Sequence, residues 1–440
     1  MMMYLPPQVN QALEMLTAAG YEAYLVGGAV RDYVRDNRRG KDWDITTNAM
    51  PEEVEQVFSG FRLIETGLKH GTVTVVIDRE PLEITTYRID GSYSDHRRPD
   101  SVRFTRNLKE DLARRDFTMN ALAYNPNTGV VDLVGGRADI AANLVRCVGE
   151  PDRRFQEDAL RILRALRFAA VFDMTADVET ADAIHRNKRL LEKIAVERIQ
   201  VELTKLLCGV GAARILREFA DVIAVVVPEI IPMFGFAQRN PHHDRDVWEH
   251  TIAVTASIPA QPVLRWAAFL HDIGKPHCFS LDDQGIGHFY GHGARSTDIA
   301  ETVLRRLRFD NATRERVVLL IKHHDTPLPR EEKGIKRLMN RLGVEASWQL
   351  LQMHRADTAG QHPDCAVRYA ELDGVGQIMQ QIVDAAACFA VKDLAINGSD
   401  LLALGFQGRE IGQALQDALN AVIDGAVPNE RQALIAFVQR

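Results

Sequence analysis

The chain has 440 residues, 46% hydrophobic and 26% charged, the make-up of an ordinary globular protein of three or four domains. Its net charge of −7 excludes indiscriminate nucleic-acid binding, so any contact with nucleic acid has to come from local basic patches. No apolar run is long enough to span a bilayer and the opening MMMYLPPQVN lacks the basic and apolar parts of a secretory signal, so a cytoplasmic protein with no membrane partner is expected.

Residues 8–19 are apolar at helical spacing and stop at Gly20, which predicts a helix. Strands are predicted over 23–26, 43–46, 72–77 and 82–87, with a helix from Pro51, capped by Asn48, between the second and third. The first strand runs into Leu25-Val26-Gly27-Gly28-Ala29-Val30-Arg31-Asp32, and a Gly-Gly turn there lets backbone N–H groups approach phosphate oxygens. Asp42 and Asp44, spaced i, i+2 beside Lys41, share one side of a strand and can grip the same divalent ions. Such ions bridge an attacking hydroxyl and a triphosphate. Alone, Gly-Gly is a turn and Asp-x-Asp a solvated edge; in this order they point to a nucleotidyltransferase. Glu83, one strand on, offers a third acidic group in support.

The stretch 88–99, with three arginines, Gly91 and Pro99, reads as a mobile basic loop near the site. In Arg114-Arg115-Asp116-Phe117-Thr118-Met119-Asn120, the arginines can clamp phosphates while Asp116 and Asn120 bond a ribose hydroxyl. From about Asp152 helical periodicity takes over. Asp158, Arg161 and Arg164 recur at i, i+3 and i+6 along one slanting helix face. Cytosine and adenine each present an amino donor beside an unprotonated ring nitrogen, which an Asp/Arg pair matches. Uracil and guanine present the reverse pattern and would be rejected by roughly 10⁴-fold.

These motifs carry a resemblance. LVGGAVRD, KDWD, YRIDGSYSDHRRP, RRDFTMNALA and EDALRILRALRF resemble the class II CCA-adding enzymes, tRNA nucleotidyltransferases of the DNA polymerase beta superfamily, over about the first 220 residues. The resemblance implies template-independent addition of C, C and A to the tRNA 3′ end from CTP and ATP. It implies Asp42 and Asp44 as Mg²⁺ ligands, Asp158 and Arg161 as the base-reading pair, and Arg115 and Asp116 at the nucleotide. Gly27, Gly28, Arg31, Asn120 and Arg164 complete the candidate nucleotide site. By the same resemblance the loop at 88–99 helps switch the pocket from C to A.

Further on, the chain is rich in histidine, and its five cysteines, scattered at 147, 208, 278, 365 and 388, read as reduced thiols rather than a zinc site. His250, His271-Asp272, His292, His324 and Asp357 follow the order of an HD-domain phosphohydrolase. That resemblance implies one ion on His250, His271, Asp272 and Asp357, with His292 and His324 holding a second. Imidazole with carboxylate suits Mn, Ni, Fe or Zn, which activates water for phosphoester cleavage. Lys275, beside this set, can contact a phosphate. The tail segment 392–412 reads as a capped helix–turn–helix in which Gly398 ends one element and Gly405 and Gly408 make the next turn. By resemblance such a tail grips the tRNA elbow.

The expected architecture is α+β: a small mixed-sheet nucleotidyltransferase head (1–150), then an all-α neck for base recognition (151–228), an HD metal-binding domain (229–365) and a tRNA-binding helical tail (366–440). Two other readings stay open: a bacterial poly(A) polymerase, and an HD phosphohydrolase with a non-catalytic RNA-binding head. The oligomeric state is left open by the sequence.

Overall fold

The computed structural model describes residues 3–38, 40, 42–91, 93 and 99–440, with backbone alone at Glu65, Thr66 and Lys69. Lys41, and Arg97 and Arg98 of the basic stretch, lie outside the described residues. The chain divides into two compact units, Met1–Pro228 and Glu229–Arg440.

The first unit begins with α1 (Pro7–Ala18), β1 (Ala23–Val26), α2 (Gly28–Asp36), β2 (Asp44–Thr47) and α3 (Pro51–Val57). Three strands follow, β3 (Arg62–Gly67), β4 (Thr72–Ile77) and β5 (Glu80–Thr86), then the short β6 (Arg88–Asp90) and β7 (Val102–Phe104) and helix α4 (Leu108–Ala113). With β8 (Leu122–Asn125) and β9 (Gly129–Asp132) the main sheet is seven-stranded, in the order β3-β4-β5-β2-β1-β8-β9. It is mixed: β2 runs parallel to β5 and antiparallel to β1. Strand alternation buries Val73, Val75 and Ile77 of β4 and Leu82 and Ile84 of β5.

Helix α5 (Gly136–Ala141) and β10 (Leu144–Val145) lead into α6 (Pro151–Glu157) and α7 (Leu160–Phe172). After β11 (Thr175–Ala176) come α8 (Val178–Asn187), α9 (Val196–Leu207), α10 (Ala212–Glu218) and α11 (Ala220–Val226). The neck is not purely helical, because two residues of β10 pair in parallel with two of β11. Its core is lined by α7, whose Ile162, Leu163, Leu166 and Ala169 are fully buried.

The second unit comprises α12 (Val247–Ser257), α13 (Pro262–Leu270), a two-residue hairpin of β12 (Ser280–Leu281) and β13 (Gly287–His288), α14 (His292–Arg306), α15 (Asn311–His323), α16 (Glu332–Leu342), α17 (Val344–Gly360) and α18 (Arg368–Asp384). It ends with α19 (Gly398–Ala403), α20 (Arg409–Ile423) and α21 (Arg431–Val438), which bury Leu401, Leu415, Leu419 and Leu434 in a core of their own. No helix among the described residues is long and apolar enough to cross a membrane.

Some local expectations are corrected. Met50, not Asn48, precedes α3: Pro51 sets the first helical residue and Glu53 Oε2 accepts from Met50 N at 2.7 Å. Asn48 instead accepts from Glu22 N at 2.8 Å. The basic stretch at 88–99 is not loop throughout, since 88–90 form β6 and pair with 102–104, and Arg88 is tied to Asp90 at 3.2 Å. Gly398 begins α19 rather than ending an element, because Asn397 Oδ1 accepts from Ser399 N and Asp400 Oδ2 from Asn397 N. Gly405 and Gly408 do turn the chain into α20, at φ of 97° and 54°.

Candidate functional site

Sheet register builds the head site. Val26, the last residue of β1, pairs with Asp44, and Asp44 pairs with Glu83 across the parallel β2–β5 ladder. Gly27 follows at φ 75°, ψ −138°, a conformation open to glycine, and turns the chain straight into α2. A Cβ on Gly27 would stand 3.5 Å from Asp44 Oδ2 and 3.7 Å from Arg115 Nη1, so the glycine turn, the carboxylate and the guanidinium converge. The N-terminus of α2 thus opens beside an arginine, a favourable place for an anion.

Asp42 is not on the strand. The predicted 43–46 strand begins at Asp44, since its antiparallel partner strand ends at Val26. Asp42 reaches the site from the bend before β2, so pleat alternation does not place the pair. A hollow of about 810 Å³ is lined by Asp42, Asp44, Glu80 and Glu83, all exposed. As a set, Asp42, Asp44 and Glu83 do not bring their oxygens within 4.8 Å of one another. The Asp44 carboxyl is held above its ordinary value, chiefly because surrounding protein displaces water and also by Asp42, with Arg115 pulling the other way. A cation between the two carboxylates would relieve that penalty, so the donors fit a hard divalent ion.

Elsewhere in the same unit, four sequence-predicted residues form one hydrogen-bonded chain. Arg31 Nη1 donates to Asn120 Oδ1 at 2.8 Å, Asn120 Nδ2 to Asp116 Oδ1 at 3.0 Å, and Arg164 Nε to Asp116 Oδ2 at 2.9 Å. Burial alone would raise Asp116, but Arg164 and Asn120 outweigh it and hold the carboxyl at about 2. Arg31 also lies 4.7 Å from the Phe172 ring centroid, tying α2 to α7. Arg114 is committed elsewhere, paired with Asp111 at 2.8 Å. Asp111 is a residue that sequence reasoning missed. It is fully buried, 3.5 Å from Arg115 and accepts from Thr46 Oγ1, and its i+3 and i+4 spacing to the two arginines was the available signal.

The neck departs from the predicted helix face. Asp158 sits in the break between α6 and α7, with φ −135°, and its Oδ1 accepts from Leu160 N at 3.1 Å. An Asp side chain that captures a nearby backbone N–H competes with the helix, which explains the break. Asp158 Oδ2 lies 3.2 Å from Arg198 Nη2. Arg161, 8% exposed on α7, donates to Glu157 Oε2 at 2.8 Å and to the carbonyls of Arg154 and Arg114. Asp158 and Arg161 are therefore each held by a different neighbour. Glu157, four residues before Arg161, and Arg198 are the partners that the sequence reading did not assign.

In the second unit the six predicted ligands come together from five elements. His250 stands on α12, His271-Asp272 in the turn after α13, His292 at the start of α14, His324 just past α15 and Asp357 on α17. His271 caps α13, which ends at Leu270. Ligand atoms of His250, His271, Asp272 and Asp357 lie within 4.8 Å of one another, and so do those of Asp272, His292 and His324. Asp272 joins the two groups: Oδ2 is 3.2 Å from His250 and His271, and Oδ1 is 3.4 Å from His292 and 3.5 Å from His324.

All four imidazoles are oriented alike. Each Nδ1 donates to a backbone carbonyl: His250 to Gly360 at 3.0 Å, His271 to Ala268 at 2.7 Å, His292 to Phe289 at 2.9 Å and His324 to Ile321 at 2.6 Å. This fixes Nδ1 as the protonated nitrogen of each ring's outer side and turns every Nε2 toward the cluster. His250 and His271 Nε2 are 3.3 Å apart, and His292 and His324 Nε2 3.2 Å apart. Ring nitrogens facing one another at such distances call for a proton or a metal cation between them. The carboxylates give the same sign: burial lowers His271, yet Asp272 and Asp357 push it up to about 10. The donor set fits a divalent transition metal at each group. Lys275 Nζ is 2.7 Å from Asp272 Oδ2 and donates to Gln238. Asp246 caps α12 through Glu249 N, and His243 packs edge-on to His250 at 5.0 Å.

The fold and these two sites define a nucleotidyltransferase head on a helical body. The family of the poly A polymerase head domain matches residues 23–146, that of the probable RNA and SrmB-binding site of polymerase A matches 173–231, and that of the putative tRNA nucleotidyltransferase domain 2 matches 294–438. The CCA-adding enzyme of Lactobacillus helveticus is 32% identical, covering 97% of this chain and 95% of its own, and that of Streptococcus thermophilus is 33% identical over 99% and 98%. The crystal structure of the Bacillus stearothermophilus CCA-adding enzyme in complex with CTP superposes with a TM-score of 0.71 at 29% identity, over 99% of this chain and 98% of that one. The chain belongs to the CCA-adding enzyme family of nucleotidyltransferases.

Proposed function

We propose that this protein adds C, C and A to the 3′ end of tRNA from CTP and ATP, without a template, by metal-dependent nucleotidyl transfer. The observation that carries this is the convergence of Gly27, Asp44 and Arg115 at the sheet end where Asp44 pairs with Glu83. The full-length likeness to a CCA-adding enzyme in complex with CTP supports it. Asp42 and Asp44, with Glu83 in support, would hold Mg²⁺, which supplies charge neutralisation at the triphosphate and activates the attacking hydroxyl. The backbone N–H groups at Gly27 and Gly28 and the Arg115 guanidinium bind phosphate oxygens. The Arg31–Asn120–Asp116–Arg164 chain holds the floor of the nucleotide site rigid. Asp158 accepts from the exocyclic amine of C or A while Arg161 donates to the ring nitrogen, once each leaves Arg198 and Glu157 in part. The glycine turn before α20 gives the tail backbone donors for a tRNA phosphate, and the four-part division proposed from the sequence follows these roles. With tRNA and nucleoside triphosphates as substrates, we expect work in the cytoplasm.

The test is product length on tRNA lacking its end. CTP alone should add two residues, and CTP with ATP three. Long A tails on arbitrary RNA would replace this reading with that of a poly(A) polymerase, and no incorporation from any nucleotide would sink both.

A second activity is favoured by the four Nε2 atoms gathered on Asp272 and Asp357. We propose that the helical cluster is an HD-type phosphohydrolase centre acting on 2′,3′-cyclic or 2′-phosphates at RNA ends. A metal such as Mn, Ni, Fe or Zn bound there supplies a Lewis acid and an activated water. Metal-dependent phosphate release that survives Asp44→Ala and is lost in Asp357→Asn would establish it; its absence at full metal occupancy would refute it.

A further inference from the structure

The first unit holds a second concavity, apart from its carboxylate hollow. A pocket of about 480 Å³ is walled by Val34, Arg35 and Asp36 at the end of α2, by Arg137 and Ile140 on α5, and by Phe172, the last residue of α7. Its volume lies within the range of small-ligand sites. It shares no lining residue with the hollow around Asp42 and Asp44.

Arg35 is held from two sides. Its Cζ stands 4.0 Å from the Phe172 ring centroid, and its Nε and Nη2 donate to Asp36 Oδ2 at 3.1 and 2.7 Å. The remaining nitrogen, Nη1, is buried and has no hydrogen-bond partner among the described residues. A buried donor left unpaired is destabilising, and an acceptor bound in the pocket would remove that penalty. Arg137 supplies a second cation. It is exposed, its backbone N donates to Asp132 Oδ2 at 2.9 Å, and its guanidinium pairs with no carboxylate among the described residues. Asn143, pinned through its backbone to Ile140 O at 3.1 Å and Thr175 N at 2.8 Å, adds an exposed amide to the same wall.

Charge gives the same sign. Asp36, the acidic residue of the lining, is shared between Arg35 at 2.7 Å and Arg38 at 3.5 Å. Arg35, Arg38 and Arg137 against that one carboxylate leave a local charge of +2, in a chain whose net charge is −7.

We propose that this pocket binds a small phosphate monoester as its dianion. Arg35 Nη1, Arg137 and the Asn143 amide donate to the phosphoryl oxygens, and Val34 and Ile140 flank the carbon skeleton. Two net positive charges match a phosphoryl group with its three acceptor oxygens, and the arginine fork suits its geometry. The assignment is independent of the transferase reading, since none of these residues serves that site.

The test uses the full chain and phenylphosphonate, whose P–C bond resists hydrolysis, titrated by calorimetry at mildly alkaline pH. Arg137 is exposed, so Arg137→Gln leaves the core intact and the Tm unchanged. The variant should bind the phosphonate at least about tenfold more weakly. Arg137→Lys should recover part of the binding, because it restores charge without the planar fork. Arg35→Lys, which keeps the charge beside Asp36 and loses Nη1, should weaken it severalfold. Phosphonate held in the transferase head or at the His/Asp cluster is common to parent and variants and cancels in the comparison. A tRNA lacking its end offers phosphodiesters instead, and its affinity should be equal in parent and Arg137→Gln. Equal phosphonate affinity in those two proteins would overturn the proposal, as would a parent that binds none at millimolar concentration. Weaker tRNA binding by Arg137→Gln at unchanged phosphonate affinity would overturn it too, and would give the pocket to an RNA backbone.

Discussion

In the head, Asp42, Asp44 and Glu83 stand exposed around a hollow, and only the last two are set against each other by backbone pairing. In the second unit, His250, His271, Asp272, His292 and His324 are buried, and each imidazole is locked through Nδ1 before anything binds. On the proposed function, the contrast follows from what each site would receive. A nucleoside triphosphate brings oxygens of its own to a cation, so the head needs carboxylates at a rim with room beside them. A resident transition metal must be surrounded by protein, and ligands fixed in advance lose little entropy on binding it.

Breaking the proposed base-reading pair should give the largest effect. Asp158→Ala with Arg161→Ala should collapse the preference for C and A over U and G by up to about 10⁴-fold, read from single-nucleotide incorporation on truncated tRNA. Unchanged selectivity would put base reading elsewhere. Asp44→Ala should lower the addition rate by about 10³-fold or more, the loss of several kcal/mol of metal-supplied stabilisation, with tRNA binding near the parent value. Surviving turnover would remove Asp44 from the metal site. Asp272→Asn should weaken transition-metal affinity by about 10²-fold at both groups together, because one carboxylate serves both. If only one group loses its metal, Asp272 does not bridge.

The smallest effect concerns the hydrogen-bonded chain through Asp116. Asp116 has a folded value of about 2 against an ordinary 3.8, so its contribution is complete above the unfolded value and is lost as pH falls through the folded one. Asp116→Asn should therefore cost about 2 kcal/mol in denaturant melts at pH 7, and the gap to the parent should narrow as pH falls from about 4 to about 2. A gap that stays constant with pH would mean that the ion pair with Arg164 is not its source.

Residues that act within a few positions of one another were legible in the sequence. The Gly27-Gly28 turn into α2, the strand carrying Glu83 and the helix of Arg161 and Arg164 all follow from local rules of backbone freedom and periodicity. Where local rules misled, a side chain had taken a backbone partner. Asp158 captured Leu160 N and ended a helix that periodicity would have continued, and Asn397 and Asp400 made Gly398 a beginning. Asp42 failed as a strand residue because the neighbouring strand had already turned away at Gly27.

The sequence by itself determined which groups are available for the proposed chemistry: carboxylates beside a glycine turn, an Asp/Arg pair on the neck, and a spaced series of His and Asp. The tertiary structure alone decided how those groups meet. It set Asp44 against Glu83, tied Asp158 to Arg198 rather than to Arg161, and made one carboxylate, Asp272, common to two clusters. Local spacing fixes which side chains are available and on which face, but distances between elements come from packing and from the pairing of buried polar atoms. Those depend on residues as far apart as Arg31 and Asn120, or His250 and Asp357.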